Sequence, residues 1–498
     1  DGMGFVQFYF GLPIAMVVIS MTFIPIYHRL KVFTAYEYLE QRFDLKTRSF
    51  TAILFLIQRG LGTGLTIYAP SIILSTILGW DLYWTNIMTG LVVTLYCMYG
   101  GSKTISYTQM QQMFVVLIGM FLAGYMVVHL LPSEIGFVDT LKVAGKMGKL
   151  NAIDWKFDLN NRYNVWSGLI GGFFLQLSYF GTDQSQVGRY LSGESVGESR
   201  IGLLMNGMLK IPMQFLILLV GALVFVFYQF NQPPLFFNQT GLDKIANTQE
   251  YRQIEAKHTR VFQEKKIAVA QMFDALKSGN EQQIEQTKVK VTEADKASGV
   301  LRTEVKDLLK KTSPETDTND TNYIFLSFVT KYLPVGMVGL LIAVILLASM
   351  GSMASAFGSL TSCTIIDIYK RLLHPEDTDQ HYLNVSRWVT LGWGIFCIIV
   401  AQFTVNIGSL IEAVNILGSW FYGTILGVFL VAFYFRSIQG NAVFWAAILA
   451  EIIVIYTWWI DLTAFLWLNL IGCVLVIVFA YLIHILTPKG AVEKIDEL

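Results

Sequence analysis

The sequence is poor in charge and in cysteine. Charged residues make up 14% of its 498 positions and the formal net charge is +0 at pH 7, so the composition indicates neither a nucleic-acid nor an acidic partner. We find no metal-ligand spacing, P-loop, catalytic triad or paired-carboxylate motif, so no enzyme chemistry of the soluble type is supported. The cysteines lie in apolar stretches, where they behave as small hydrophobic residues and indicate neither disulfides nor a redox compartment: Cys97, Cys363, Cys397 and Cys473.

Hydrophobic residues, at 54% of the chain, are abundant and occur in long runs. An α-helix that crosses a bilayer needs roughly 20 apolar residues. The sequence therefore predicts an all-α, polytopic membrane protein with about eleven spans. They are expected at 5–28, 50–80, 83–99, 107–131, 165–187, 201–229, 333–366, 383–405, 409–435, 440–460 and 463–486. Because Asp1-Gly-Met-Gly is not an initiator sequence, we expect one or two further membrane helices to precede it.

Lysine and arginine are concentrated in alternate short connections. The segment 28–48 carries five of them, whereas the loops around Asp81 and Asp461 carry none. Positively charged loops tend to remain in the cytoplasm. The pattern predicts a multi-pass protein of the cell or plasma membrane, with segment 28–48 and the C-terminus in the cytoplasm and residue 1 outside.

The long segment 232–322 differs in composition from the apolar rest of the chain, because it is polar and rich in Glu, Lys and Gln. Its apolar residues recur at helical intervals that the triplet 278–280 interrupts, which predicts an external helical hairpin followed by a linker. We therefore expect membrane helices in 1–231, this insertion, and the remaining membrane helices with a short cytoplasmic tail in 323–498. A solvated insertion without a specific role is favoured over a module that docks an extracytoplasmic partner.

The apolar helix predicted at 338–369 is crowded near its middle with Ala, Gly and Ser. Small residues let helices pack closely in membranes. Hydroxyl and carbonyl oxygens at membrane depth also suit a nearly dehydrated Na⁺, because hard cations prefer oxygen ligands. Close packing and Na⁺ binding both account for this pattern.

A second apolar helix, predicted at 165–190, contains several glycines and becomes polar and amide-rich around Asp183. This pattern is typical of a discontinuous helix whose broken backbone faces a cavity, and a carboxylate in a bilayer indicates a functional role. Alternatively, Asp183 caps a helix or pairs with Arg189. Three more intramembrane charges each need a partner or water, and a structural ion pair would explain at least one of them: Arg59, Glu412 and Glu451.

Five segments, in order along the chain, resemble blocks of the sodium:solute symporter family. They are FIPIYHRLKVFTAYEYLEQRF (23–43), IYAPSIILSTILGW (67–80), MYGGSKTISYTQMQQ (98–112), GTDQSQVGRYLSGES (181–195) and the DIYK close of the 338–370 helix. The resemblance covers nearly all of the chain outside the insertion. It implies a LeuT-type bundle of five plus five inverted-repeat helices with alternating access around a mid-membrane site. The first core helix is expected to lie before Asp1.

In carriers of this family, Na⁺ lies between the first and eighth core helices. Aligning on Asp367-Ile-Tyr369 carries the eighth-helix ligands onto the carbonyl of Ala348 and the positions of Gly351 and Ser352. Relatives usually have two adjacent hydroxyl residues at the last two positions, so either Ser349 or Ser355 compensates for the glycine or the site binds Na⁺ more weakly. The family's Thr-Asp after the Gly-Gly loop is replaced by Thr108-Gln109, which argues against a second coupled cation.

The resemblance also implies where a solute would bind. A Glu of the family's sugar carriers corresponds to Tyr9, so galactose-like recognition through that carboxylate is not expected. Aromatic rings that stack on a small polar solute and amides that orient it are typical of such sites. The residues expected around the solute are Phe8, Tyr9, Tyr179, Asp183, Gln184 and Asn415.

These features predict a Na⁺-coupled symporter of a small organic solute, such as a sugar, polyol, carboxylate or vitamin-like compound, and not an enzyme. Two alternatives stay open. One is a non-transporting solute sensor or receptor on the same fold. The other is a Na⁺-independent or proton-coupled carrier in which Asp183 takes the place of the cation.

Overall fold

Helices are the only regular secondary structure in the residues described by the computed structural model. These residues are 2–30, 32–99, 102–191, 193, 195–314, 316–404 and 409–487, and the described side chains exclude those of 102–112 and Leu191. Gly100 and Gly101 of the third family-like segment lie outside the described residues, and so does the side chain of Gln109.

The α-helices are numbered here in chain order. They are α1 Leu12–Met21, α2 Phe23–Leu30, α3 Glu37–Arg42, α4 Leu45–Leu78, α5 Leu82–Tyr99, α6 Ser102–His129, α7 Phe137–Lys146, α8 Gly172–Thr182, α9 Gln184–Leu191, α10 Val196–Phe230, α11 Gln239–Leu242, α12 Gln249–Ser278, α13 Glu281–Thr312, α14 Ile324–Tyr332, α15 Val335–Cys363, α16 Asp379–Gln402, α17 Leu410–Tyr434, α18 Gly440–Trp459 and α19 Phe465–Leu486. Short 3-10 helices occupy Gly2–Tyr9 and Thr321–Tyr323, and π-helical turns occupy Ser167–Gly171 and Thr364–Leu373.

Eight helical stretches of the described chain are long and apolar enough to cross a membrane. They are Gly2–Leu30, Leu45–Leu78, Val196–Phe230, Val335–Leu373, Asp379–Gln402, Leu410–Tyr434, Gly440–Trp459 and Phe465–Leu486. The three other predicted spans correspond to α5, α6 and the pair α8–α9, which are helical as well. The all-α prediction is therefore confirmed.

Glycine allows the helices of the core to approach one another closely. A Cβ atom on Gly423 of α17 would lie 2.6 Å from the carbonyl oxygen of Asn469 on α19. One turn further along, a Cβ on Gly427 would lie 2.9 Å from the carbonyl oxygen of Cys473. Because larger side chains would clash with the backbone of α19, these glycines allow α17 and α19 to pack closely.

The polar insertion forms a helical hairpin that folds back on the bundle. Helices α12 and α13 meet at Gly279, whose φ of 69° lies in the left-handed region that glycine adopts without strain. The Nζ of Lys146 on α7 lies 2.8 Å from the Oε2 of Glu281 on α13. Met272 of α12 is buried in one cluster with Val143 of α7 and Val226 of α10. We call this end of the bundle the hairpin side, and the opposite end, which carries residues 32–43, the loop side.

An ion-pair network closes the loop side. Asp367 at the end of the α15 segment is fully buried, and its Oδ1 lies 2.6 Å from Nη2 of Arg48 and accepts a 2.7 Å hydrogen bond from the Thr34 hydroxyl. Nη1 of Arg48 lies 2.7 Å from Oε2 of Glu40, whose Oε1 lies 2.5 Å from Arg371. The hydrogen bonds from Arg371 hold the pKa of Glu40 below its usual range. The network ties loop 32–43 to the ends of α4 and α15.

Candidate functional site

The helix predicted at 165–190 is interrupted at Asp183. Helix α8 ends at Thr182 and α9 begins at Gln184, and Asp183 between them has φ −73° and ψ 119°, an extended conformation. Its Oδ1 accepts hydrogen bonds from the backbone N–H of Ser185 at 2.8 Å and from the Ser185 hydroxyl at 2.5 Å. The carboxylate therefore caps the start of α9, and the predicted discontinuity of the helix is confirmed.

Asp183 also has a charged partner in the bundle. Its Oδ2 lies 3.7 Å from Nη1 of Arg59 on α4 and accepts a 3.1 Å hydrogen bond from the hydroxyl of Tyr422 on α17. Gln58 of α4 donates to the same Tyr422 hydroxyl at 3.0 Å. Arg59 and Asp183 thus form the structural ion pair that the isolated intramembrane charges predict. We call Gln58, Arg59, Asp183 and Tyr422 the Asp183 cluster.

Glu412, another of the isolated intramembrane charges, forms an ion pair with a residue outside the helices. Its Oε1 lies 2.5 Å from Nη1 of Arg162, in the connection that precedes α8. The Arg162 side chain is 57% exposed, so this pair lies at the water boundary and not in the core. Local sequence patterns cannot reveal it, because 250 residues separate the two.

Gln184 lies beside Asp183 in sequence, but its side-chain amide forms hydrogen bonds on the loop side. Its Oε1 accepts a 2.9 Å hydrogen bond from the backbone N–H of Ala35, and its Nε2 donates to the carbonyl of Phe33 at 3.2 Å. Tyr36 of the same loop donates to the carbonyl of Thr182 at 3.0 Å. The helix break and the loop are therefore held together through both ends of the Gln184 amide.

The predicted aromatic residues lie on the hairpin side of the break. The rings of Phe8 and Tyr9 meet edge to face, with centroids 4.9 Å apart, and both are buried. The ring of Tyr179 on α8 meets that of Phe180 edge to face, with centroids 4.8 Å apart. The Tyr179 ring also lies 5.9 Å from that of Tyr422. Tyr179 therefore connects the aromatic residues of α8 to the Asp183 cluster.

Lys210, which sequence reasoning missed, stands next to these aromatic residues. Its ammonium lies 5.5 Å from the centroid of the Tyr9 ring and 5.3 Å from that of Phe180. It is the fifteenth residue of the apolar helix α10, and no carboxylate within the described part of the chain forms an ion pair with it. A lysine inside an apolar span is itself a signal of function, and this signal could have identified it.

Asn415 lies apart from the other predicted solute residues. It precedes Tyr422 on α17 by seven residues, or about 10 Å along the helix axis. Its Nδ2 donates to the carbonyl of Ile411 in its own helix at 2.7 Å. The structure brings Tyr9, Tyr179 and Asp183 together, and it leaves Gln184 and Asn415 at opposite ends of the site.

The predicted Na⁺ ligands lie midway along α15. The hydroxyl of Ser352 is exposed and donates to the carbonyl of Ala348 at 3.0 Å, so two of the expected oxygens are neighbours. Gly351 is buried and offers no side-chain oxygen. The hydroxyl of Ser355, which could compensate for Gly351 at the Na⁺ site, accepts a 3.1 Å hydrogen bond from Arg189. A carbonyl beside a hydroxyl fits a hard cation, with further ligands required from another element.

Comparison with known proteins gives a family match and several relatives. The model of the sodium:solute symporter family matches residues 1–246 and 311–450, and the gap between them falls on the α12–α13 hairpin. The human sodium-coupled monocarboxylate transporter 1 is 34% identical over 195 residues, which cover 38% of this chain and 31% of that protein. The rabbit (Oryctolagus cuniculus) sodium-dependent multivitamin transporter is 26% identical over 423 residues, covering 85% and 54%. The human sodium/iodide cotransporter is 30% identical over 237 residues, covering 47% and 36%.

The chain thus spans between about a third and about a half of the length of these relatives. Among solved structures, the substrate-bound outward-open state of a Na⁺-coupled sialic acid symporter is similar with a TM-score of 0.69. The similarity covers 97% of this chain and 84% of that one at 19% sequence identity, and it shows a common fold, the LeuT-type helix bundle.

Proposed function

The chain belongs to the sodium:solute symporter family, and on that premise we propose that it couples the inward movement of Na⁺ to the uptake of a small organic solute by alternating access. It is a multi-pass integral membrane protein, and the matched family is one of transporters rather than enzymes. We further propose that the loop side and the C-terminus face the cytoplasm and that the hairpin lies outside, in agreement with the distribution of Lys and Arg.

The observation that carries this proposal is the interruption of the α8–α9 helix at Asp183. Helices are broken at membrane depth only where the freed backbone is buried in protein or lines a cavity, and transporters place their sites at such breaks. Here the break lies between an ion pair with α4 and the aromatic residues of the hairpin side. A site of this kind can be approached from either side of the membrane.

The solute that fits these residues best carries a carboxylate. Lys210 has no carboxylate partner among the described residues, and its ammonium stands over the predicted solute residue Tyr9. A solute anion would supply the missing charge partner, because a charge inside a membrane span is costly unless it is paired. Relatives that carry monocarboxylates, vitamins or sialic acid agree with this choice. We propose that Phe8, Tyr9, Tyr179 and Asp183 contact the solute, whereas the amides of Gln184 and Asn415 form hydrogen bonds at opposite ends of the site.

Na⁺ is proposed to bind at α15, through the carbonyl of Ala348, the backbone at Gly351 and the hydroxyl of Ser352. One Na⁺ that moves through a potential of about 100 mV releases about 2.3 kcal/mol. Coupling requires Na⁺ to bind one conformation better than the other, since a ligand shifts an equilibrium only through differential affinity. A single ion per solute agrees with the presence of Gln109 in place of an acidic residue.

Counterflow in proteoliposomes tests the proposal. Vesicles loaded with an unlabelled monocarboxylate are diluted into the labelled compound in NaCl or in choline chloride. We expect accumulation in NaCl only. Flux that ignores Na⁺ would favour the Na⁺-independent or proton-coupled carrier, and binding without flux would favour the sensor. A thermal-shift screen of sugars, polyols, carboxylates and vitamins in the same two salts identifies the solute to be used.

A further inference from the structure

Glu451 is a carboxyl group at membrane depth that the proposed transport cycle does not use. It is the twelfth residue of α18, about 16 Å along the helix axis from Gly440. Only 7% of the residue is exposed. Among the described residues, neither of its carboxyl oxygens has a hydrogen-bond partner. It lies just beyond the stretch that matches the family model, which ends at residue 450.

The surroundings of Glu451 are closely packed and almost entirely apolar. Helices α17, α18 and α19 meet one turn away, where a Cβ on Gly472 would lie 3.0 Å from the backbone nitrogen of Thr424 and 3.1 Å from Cγ2 of Val454. The polar side chain that faces the carboxyl is that of Thr424, which is fully buried. Its hydroxyl also has no partner in the described part of the structure.

Among the described residues, no charged group lies close enough to Glu451 to compensate a negative charge on it. The helices packed against α18 are α17, α19 and α4, whose titratable groups in this region include Tyr422, Cys473, Arg48 and Arg59. None of these forms a hydrogen bond or ion pair with the Glu451 carboxyl in the described part of the structure, and the polar side chain beside it is that of Thr424. Arg59 and Arg48 are already paired with Asp183 and Asp367, on other faces of the bundle.

A carboxylate that is buried without a counter-charge or hydrogen bonds is strongly disfavoured, and such a group takes up a proton instead. We propose that Glu451 holds a proton within the membrane and is a modification site for hydrophobic carbodiimides, which react with protonated carboxyl groups. As a neutral acid it can donate a hydrogen bond to the Thr424 hydroxyl after a small rotation of either side chain. This inference does not depend on the transport function.

The modification needs no further reactant. The carboxyl proton moves to one nitrogen of the carbodiimide, and a carboxyl oxygen bonds to its central carbon, which gives an O-acylisourea. The acyl group then migrates to nitrogen, which gives a stable N-acylurea without a leaving group. An ionised carboxylate lacks the proton that starts this sequence.

The first test is labelling of the full chain in lipid nanodiscs with dicyclohexylcarbodiimide, followed by mass spectrometry of the peptide that contains Glu451. We expect labelling at pH 6 that decreases as the pH rises and is unaffected by Na⁺. Glu412 is the matched control, because its carboxylate is paired with Arg162 and it should remain unlabelled. Protection of Glu451 by Na⁺ would overturn the proposal, since it would make this carboxyl a cation ligand.

A second measurement keeps the proposal testable if the reagent does not reach the site. The melting temperatures of the wild-type protein and Glu451→Gln are compared between pH 6 and pH 8. A carboxyl that is neutral when folded ionises on unfolding, so the wild type should lose stability relative to the variant by up to about tenfold in the unfolding constant per pH unit. Parallel pH profiles together with absent labelling would show that Glu451 is ionised in the folded protein.

Discussion

Arg59 and Asp183 form an ion pair that joins α4 to the break between α8 and α9. The Nη1 of Arg59 lies 3.7 Å from Oδ2 of Asp183, whose side chain is completely buried, while 17% of the Arg59 side chain is exposed. The carboxylate also caps α9 through Ser185 and accepts from Tyr422. One buried carboxylate therefore fixes the positions of α4, α9 and α17 relative to one another.

Replacing Asp183 with Asn should strongly destabilise the protein, because the charge of Arg59 would be left in the bundle without a partner. The expected loss is about 3–5 kcal/mol, seen as a lower melting temperature in detergent. The double variant Asp183→Asn/Arg59→Gln should recover part of it. Glu412→Gln is the matched control, and its largely exposed partner predicts a loss of about 0–1 kcal/mol. Equal losses for Asp183→Asn and Glu412→Gln would contradict the buried-pair interpretation.

Gln184→Ala should loosen loop 32–43 on the loop side. The variant removes the hydrogen bonds to Ala35 and Phe33, each worth about 1 kcal/mol. We expect amide exchange at Ala35 to rise about fivefold to tenfold, measured by hydrogen–deuterium exchange with mass spectrometry. Asn415→Ala, a change on the far side of the site, serves as the control. Unchanged exchange in Gln184→Ala would leave solute binding as the better account of this residue.

Lys210→Gln should weaken uptake of a carboxylate solute more than Lys210→Arg does. A charge-assisted hydrogen bond contributes about 1.5–3 kcal/mol, which corresponds to roughly a tenfold to hundredfold rise in the half-saturating concentration. The arginine variant keeps the positive charge over Tyr9 and should retain most of the affinity. Initial uptake rates over a range of solute concentrations measure the effect. If Lys210→Gln and Lys210→Arg have the same half-saturating concentration, the charge of Lys210 does not contact the solute.

Structural elements that depend only on a short stretch of neighbouring residues could be predicted from the sequence. The change from an apolar, glycine-bearing helix to amide-rich residues at 181–186 predicts the break at Asp183. Both the apolar stretch and the polar stretch lie in one short segment, so the sequence alone shows the change. The helical intervals of apolar residues in 232–322, interrupted at 278–280, predict two helices in the same way. Apolar run lengths predict the membrane helices, and each predicted span corresponds to a helix or a helix pair of the described chain.

Features that depend on which faces meet could not be predicted. Lys210 reaches Tyr9 because α10 packs against the first residues of the chain, a contact between segments 200 residues apart. The sequence also does not show that α12 folds back, since Met272 and Ile254 have the same apolar character and only Met272 packs on the bundle. The sequence predicts Gln184 at the solute site as an amide that orients the solute, whereas its amide forms hydrogen bonds with the loop.

Acidification should loosen the hairpin through His258. This residue of α12 is 2% exposed, and its Nε2 lies 3.1 Å from the hydroxyl of Ser298 on α13. Burial, followed by the charges of Lys265 and Arg302, lowers the pKa of His258 to about 4, from about 6.5 in an unfolded chain. The stabilisation is therefore present above about pH 6.5 and is lost as the pH falls toward 4.

Between pH 7 and pH 5 we expect the hairpin to lose about 1–2 kcal/mol of stability, detected as faster amide exchange in peptides of α12 and α13. In His258→Gln this pH dependence should be reduced, because glutamine cannot take up the proton. Exchange that accelerates equally in both proteins would assign the effect to other groups of the hairpin.

Ser352→Ala should increase the Na⁺ concentration needed for half-maximal uptake. The Ser352 hydroxyl donates to the carbonyl of Ala348 at 3.0 Å, and a cation placed between them would replace this hydrogen bond with two oxygen contacts. Loss of one neutral ligand of about 1 kcal/mol corresponds to a rise of about fivefold. Ser359→Ala is the matched control, since its hydroxyl bonds to its own helix two turns further along α15. Gly351→Ser, which adds the second hydroxyl that the family resemblance leads us to expect at this position, should lower the required Na⁺ concentration. If Ser352→Ala and Gly351→Ser both keep the Na⁺ dependence of the wild type, the ion does not bind at this part of α15, and a symporter of this family would have to hold it elsewhere.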